Sequence, residues 1–321
     1  MAEKEVVFVN YQSKGMKIFL KKGCGCLFGA VVLIGIIGAI VMYVLKPKWH
    51  DEYGQRFQDI AYGSRQHNTY DLYLPNDAEK NDSLALLLYV HGGSWLGGDK
   101  AEHHGDCYTW VQKGYATATM NYSLLIEEGV SLLTMYDEID ACIRHIVSFA
   151  SEKGVHIRQM AIAGTSAGAH LAMMYAYHHS HPLPLRFEAI KVGPADFRIL
   201  FPYDEKTKAK DVESTVFSCS GKRMNASECS KEQLDSIKLQ ASPVCYISDS
   251  TALPAIFAYG GKDWLIKPDH YHALQEKYDS LGRPYDLIVF PNSGHDLMQD
   301  KDCIERYDST LNAYCKNYFG Y

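Results

Sequence analysis

Hydrophobic and polar positions follow two rhythms along residues 70–318. Residues 70–75 (YDLYLP) alternate with period two, as a half-exposed strand does. Residues 84–90 (LALLLYV) form an unbroken apolar run that leads into a Gly-Gly pair, the pattern of a buried central strand. Further strands are expected at 115–122, 160–164, 187–193, 254–261 and 285–290. Apolar residues recur at helical spacing over 130–150 and 167–178, and the pattern also predicts helices at 268–281 and 300–318. Strands alternating with helices predict an α/β fold, a mostly parallel sheet covered on both faces. The rhythm breaks over about 194–253, a stretch rich in Lys, Asp, Glu and Ser. So long an interruption between core strands is expected to have structure of its own, as a cap over the strand ends.

A third pattern lies upstream. Residues 27–45 (LFGAVVLIGIIGAIVMYVL) are nineteen positions without a charge. As a helix they would extend about 28 Å, close to the thickness of a bilayer's hydrocarbon core. A cleavable signal peptide would be shorter and followed by a small-residue site, but Tyr43-Val44-Leu45-Lys46-Pro47 follows here. An uncleaved transmembrane anchor is therefore expected. Lys14, Lys17, Lys21 and Lys22 precede it, while Lys46 and Lys48 are soon diluted by Asp51 and Glu52. That bias places 1–26 in the cytoplasm and the body, 46–321, outside or in a lumen.

Charge and cysteine content refine this picture. Residues 1–50 carry seven Lys and two Glu, leaving 25 basic and 36 acidic side chains in the rest. A body that acidic repels phosphate backbones, so nucleic acid is not an expected partner. Seven of the nine cysteines lie in the body, an odd number that argues against a full disulfide framework. For an exported body, Cys219 and Cys229 are the expected bridge, since they bracket a polar stretch. No Cys/His pattern has zinc-site spacing, and neither a metal nor a cofactor is expected.

The chemistry concentrates in three segments. Residues 160–168 read MAIAGTSAG, a G-x-S-x-G motif placed between an expected strand and an expected helix. Ser166 would sit on the sharp turn, with Gly164 and Gly168 required where strand and helix leave no room for a Cβ. A serine hydroxyl needs a base, and His295, in a Gly-containing loop after 285–290, is the best placed. The imidazole needs a carboxylate to fix its tautomer. Asp263, just after the strand at 254–261, fills that role, with Asp269 as the alternative. An oxyanion needs amide donors, and the turn His91-Gly92-Gly93-Ser94 after strand 84–90 offers Gly92, Gly93 and Ser94 to join Ala167.

These segments together resemble the HGG-type esterase/lipase branch of the α/β-hydrolases, and most of all the bacterial feruloyl-esterase-like (BD-FAE) group, which is also similar to kynurenine formamidases. The likeness rests on YDLYLP, HGGSWLGGDK, GYATATMNY, AGTSAGAHLA, ASPVCYI, AYGGKDWLI and PNSGHD. It implies Ser166 as nucleophile, Asp263 as acid, His295 as base and the HGG segment as oxyanion loop. It also implies a carboxylic ester substrate, acetyl or feruloyl esters of carbohydrates first, with an arylformamide or peptide as the alternative. An inactive hydrolase fold serving as a binding ectodomain is the competing reading from a different class, and a lipid-processing enzyme at the bilayer surface, favoured by the anchor, is a third. One departure stands out: the group usually has Arg after the Asn-Tyr pair, whereas Ser123 follows Tyr122 here.

Overall fold

Eight strands form one sheet in the computed structural model, which describes residues 48–178, 180–203 and 208–320. They are β1 (Gln55–Ala61), β2 (Thr69–Leu74), β3 (Leu84–Val90), β4 (Ala116–Met120), β5 (Ile157–Thr165), β6 (Leu185–Lys191), β7 (Ala255–Gly260) and β8 (Tyr285–Phe290). The spatial order is β1-β2-β4-β3-β5-β6-β7-β8. β1 and β2 join antiparallel at one edge, β2 also pairs antiparallel with β4, and β4 through β8 run parallel. The expected head at 1–26 and anchor at 27–45 lie outside the described residues. Among the described residues no helix is long and apolar enough to cross a membrane.

The uninterrupted apolar run of β3 has its physical reason in burial on both faces. Leu84, Leu86, Leu88 and Val90 join one core with Met135, Ile139 and Ile143 of α2 (Leu132–Glu152). The alternate residues Ala85, Leu87 and Tyr89 pack with Trp110 of α1 (His104–Val111) and Leu311 of α8 (Lys301–Phe319). α3 (Ala167–His178) follows β5 directly, and α7 (Pro268–Leu281) starts on a proline at its first turn. The expected cap contains α4 (Phe197–Leu200), α5 (Ala209–Ser220) and α6 (Lys231–Gln240). Val212 and Val216 of α5 meet Leu234 of α6 in a small core of their own. The expected Cys219–Cys229 bridge is not formed. Both are free thiols, Cys219 within the main core and Cys229 against the small cap core.

One buried acid sets a pH dependence of stability. Glu188 of β6 is fully buried, and its Oε1 accepts hydrogen bonds from the Tyr177 and Tyr278 hydroxyls, the latter at 3.1 Å. Burial lifts its carboxyl to about 8, although the two tyrosine hydrogen bonds pull the other way. An unfolded chain releases this proton near 4.5, so the folded state binds more protons between the two values. Its contribution is complete below about pH 4.5 and is lost as pH rises toward 8, on the order of 5 kcal/mol across the window. Glu188→Gln should remove that slope, and melting curves of both proteins from pH 5 to pH 8 read it. Parallel curves would mean that Glu188 does not carry this linkage.

Candidate active site

β5 ends at Thr165 and α3 begins at Ala167, so Ser166 alone makes the turn, with φ at +54°. A left-handed serine is strained, and its neighbours hold it there. Its N–H donates to Lys191 O on the adjoining strand at 2.9 Å, and its carbonyl accepts the His170 N–H at 3.0 Å. The flanking glycines are required by contact. A Cβ on Gly164 would lie 2.5 Å from Gly168 O, and one on Gly168 would lie 2.1 Å from Val90 O. His170, one turn along α3, is wholly buried with Nε2 at 2.8 Å from Ala241 O. Burial lowers its imidazole to about 3, so it packs as a neutral ring.

The three residues read from the motifs converge across 129 positions of chain. Ser166 Oγ lies 2.9 Å from His295 Nε2, and His295 Nδ1 lies 2.7 Å from Asp263 Oδ2. Asp263 is almost fully buried, and its other oxygen accepts the Leu265 and Ile266 N–H groups at 2.8 and 2.9 Å. Those two bonds fix the carboxylate plane and leave one oxygen for the imidazole. The loops carrying acid and base are locked together, since Lys262 N–H donates to Ser293 O at 3.0 Å. Asp300 then braces the histidine loop, its Oδ2 accepting from Ser293 N–H at 2.9 Å and Ser293 Oγ at 2.7 Å. Asp269, the alternative acid, sits in the first turn of α7.

The glycine turn after β3 supplies donors, with one correction. Gly92 N–H donates to Glu102 Oε2 at 3.1 Å, so this amide is already engaged and is not a free oxyanion donor. What Gly92 contributes is closeness: a Cβ there would meet Thr165 O at 3.2 Å and Ser166 Cβ at 3.5 Å. Gly93, Ser94 and Trp95 all have positive φ, at 107°, 55° and 59°. Among the described residues no group accepts a hydrogen bond from the amides of Gly93, Ser94 or Ala167. His91 holds the turn from behind, its ring stacked on Tyr122 at 4.3 Å with Nδ1 2.7 Å from Gly92 O. Burial lowers this imidazole to about 4, so the neutral ring donates from Nδ1.

Ser123, where the resembling group usually has Arg, is braced by another route. Its N–H and Oγ both donate to the Glu138 carboxylate of α2, at 2.8 and 2.6 Å. Arg65 Nε approaches the same carboxylate at 4.0 Å.

A cavity of about 420 Å³ opens beside Ser166 and Ala167. Trp95, Leu125, Phe197, Phe201 and Ile266 make its walls mostly apolar. Ser214 and Ser218 of α5 add hydroxyls from the cap side. Such a volume admits an acyl group well beyond acetyl.

Comparisons with known proteins bear on the family and the fold. The BD-FAE family model matches residues 70–278. Kynurenine formamidase of Danio rerio is 31% identical over 120 residues, covering 37% of this chain and 38% of that protein. The chain thus spans about two fifths of the length of the kynurenine formamidases it matches. Ethyl acetate hydrolase of Pseudomonas putida is 23% identical over 263 residues, 79% of each chain. The solved structure of a truncated carbohydrate esterase from gut microbiota superposes with a TM-score of 0.65 at 17% identity, covering 84% of this chain and 100% of that one. A likeness of that kind speaks for the fold alone. The chain belongs to the BD-FAE family and carries its α/β-hydrolase fold.

Proposed function

We propose that the protein is a membrane-anchored serine hydrolase that cleaves carboxylic esters through an acyl-enzyme. The observation that carries this reading is the continuous hydrogen-bonded run from Asp263 through His295 to Ser166 Oγ. Ser166 Oγ attacks the ester carbonyl carbon as His295 Nε2 takes its proton, and Asp263 stabilises the imidazolium through Nδ1–H. The carbonyl oxygen becomes an oxyanion at the Gly93, Ser94 and Ala167 amides. Its collapse breaks the bond to the alcohol oxygen, which leaves with the proton from His295. Water then attacks the acyl-enzyme, giving up a proton to His295, and collapse breaks the bond to Ser166 Oγ, which takes that proton back as the acid departs.

The apolar cavity takes the acyl group, which favours acyl chains or aromatic acids over acetyl. Acetyl and feruloyl esters of carbohydrates are the class the family resemblance suggests, and an arylformamide is the competing substrate. Residues 27–45 serve as the anchor, with the catalytic body on the extracytoplasmic side. Specificity constants for acetyl, feruloyl and long-chain esters and for an arylformamide test the reading. We expect esters to exceed the formamide at least tenfold, with feruloyl or longer acyl groups above acetyl. A preference for the formamide would replace esterase with amidase, and no turnover at all would favour a binding domain.

A further inference from the structure

Large apolar side chains scattered singly over a surface need no explanation, whereas a cluster at one opening does. Nine such side chains stand exposed among the described residues. Leu96, Phe201 and Leu265 line the cavity beside Ser166, while Ile126, Leu133 and Trp264 are each next in the chain to a residue that lines it. Met298 and Ile304 border a second cavity, of about 290 Å³, whose wall includes His295. Trp264 is 79% exposed and Ile126 71% among the described residues.

From this arrangement we infer that the active-site face docks on a lipid bilayer and that the esters it reaches are carried in that bilayer. The inference rests on the anchored-esterase reading and narrows its substrate class. Aqueous substrates give no reason to hold Leu96, Phe201 and Leu265 exposed at the cavity, with Trp264 exposed beside Leu265 in the chain. A bilayer interface removes that exposure and is where tryptophan is most favourably placed. Exposed Lys262 and Lys267 bracket Trp264 and Leu265, so their stems can lie along the apolar layer with the ammonium groups among lipid phosphates. The acidic pair Glu127-Glu128, next to Ile126, favours a zwitterionic over a strongly anionic surface. Chain length points to the same occupant. On the anchored reading, only Lys46 and Pro47 separate the uncharged stretch 27–45 from Lys48, the first described residue. An amphiphilic ester can then pass its acyl chain from the bilayer into the cavity while its carbonyl meets Ser166.

Emission of Trp264 reads the docking directly. The full chain and its Trp264→Phe variant are placed in phosphatidylcholine nanodiscs, with ordinary or acyl-brominated lipid. The difference between the two proteins isolates Trp264 from Trp49, Trp95 and Trp110. That difference should fall at least twofold in brominated lipid. An equal difference in both lipids overturns the inference, and two chains per disc with Trp264 unquenched would show that a second copy covers the face instead. In a kinetic arm, the double variant Ile126→Ser/Trp264→Ser changes residues outside the cavity wall. Turnover of a long-chain p-nitrophenyl ester dissolved in the disc should drop at least fivefold, with p-nitrophenyl acetate in solution hydrolysed at the parent rate. Equal turnover of the disc-borne ester would count against docking. Ser166→Ala separates the two readings, because quenching should survive in it while hydrolysis should not.

Discussion

Ser166→Ala should abolish ester hydrolysis, lowering kcat by at least about 10⁴-fold, the scale seen when a triad nucleophile is removed. The geometry gives the reason. Ser166 Oγ is the group that His295 Nε2 can deprotonate, at 2.9 Å, and it stands beside the free amides of Gly93, Ser94 and Ala167. Alanine keeps the turn, the glycine contacts and the cavity, so folding should be unaffected. Initial-rate kinetics with p-nitrophenyl acetate, alongside a melting curve, separate lost chemistry from lost structure. A folded variant with most of its activity would remove Ser166 from the mechanism.

Gly168→Ala acts instead on the scaffold. The added Cβ would sit 2.1 Å from Val90 O and 2.3 Å from His91 O, both backbone atoms at the end of β3. No side-chain rotation relieves such an overlap, so α3 and β3 must separate. Overpacking of this kind costs about 3 kcal/mol or more when the obstacle is backbone. For a body of this size the melting temperature should fall by roughly 6–12 °C. Activity should fall too, because His91 O belongs to the turn that presents Gly93 and Ser94. Thermal unfolding followed by kinetics on the remaining folded protein checks both effects, and an unchanged melting temperature would contradict the contact.

The parts of this fold that could be read from the sequence are those in which a local pattern is the cause. β3 is apolar throughout because both of its faces are buried, and β8 keeps the expected bounds 285–290. The motif around Ser166 was legible because its glycines answer contacts within one turn. β1 was not read. It lies at the sheet edge with most residues exposed, and a register shift between Phe57 and Ile60, with Asp59 at φ +54°, breaks its alternation. α1 was also missed, since its N-terminal residue follows a short 3-10 turn with no side-chain cap.

Long-range side-chain contacts were the least legible. The motif offers Gly92 beside the better-placed Gly93 and Ser94 as a donor, and nothing in it signals that Glu102, ten positions on, holds the Gly92 amide. Glu138 supplies from α2 the bracing that an Arg at position 123 would otherwise give, and nothing near Ser123 in the chain signals it. Asp300 is similar, a helix-entry residue by sequence that in space fixes the loop of the catalytic-base candidate. Each is a pairing between segments that periodicity describes separately.

The claim beneath all of this is that one hydroxyl carries the acyl group between two half-reactions. Rapid acid quenching during turnover of a feruloyl or long-chain ester, followed by peptide mass analysis, tests it most directly. The account predicts the acyl mass on the peptide containing Ser166 and nowhere else. Steady turnover with that peptide unmodified, or with the acyl group on another residue, would contradict it.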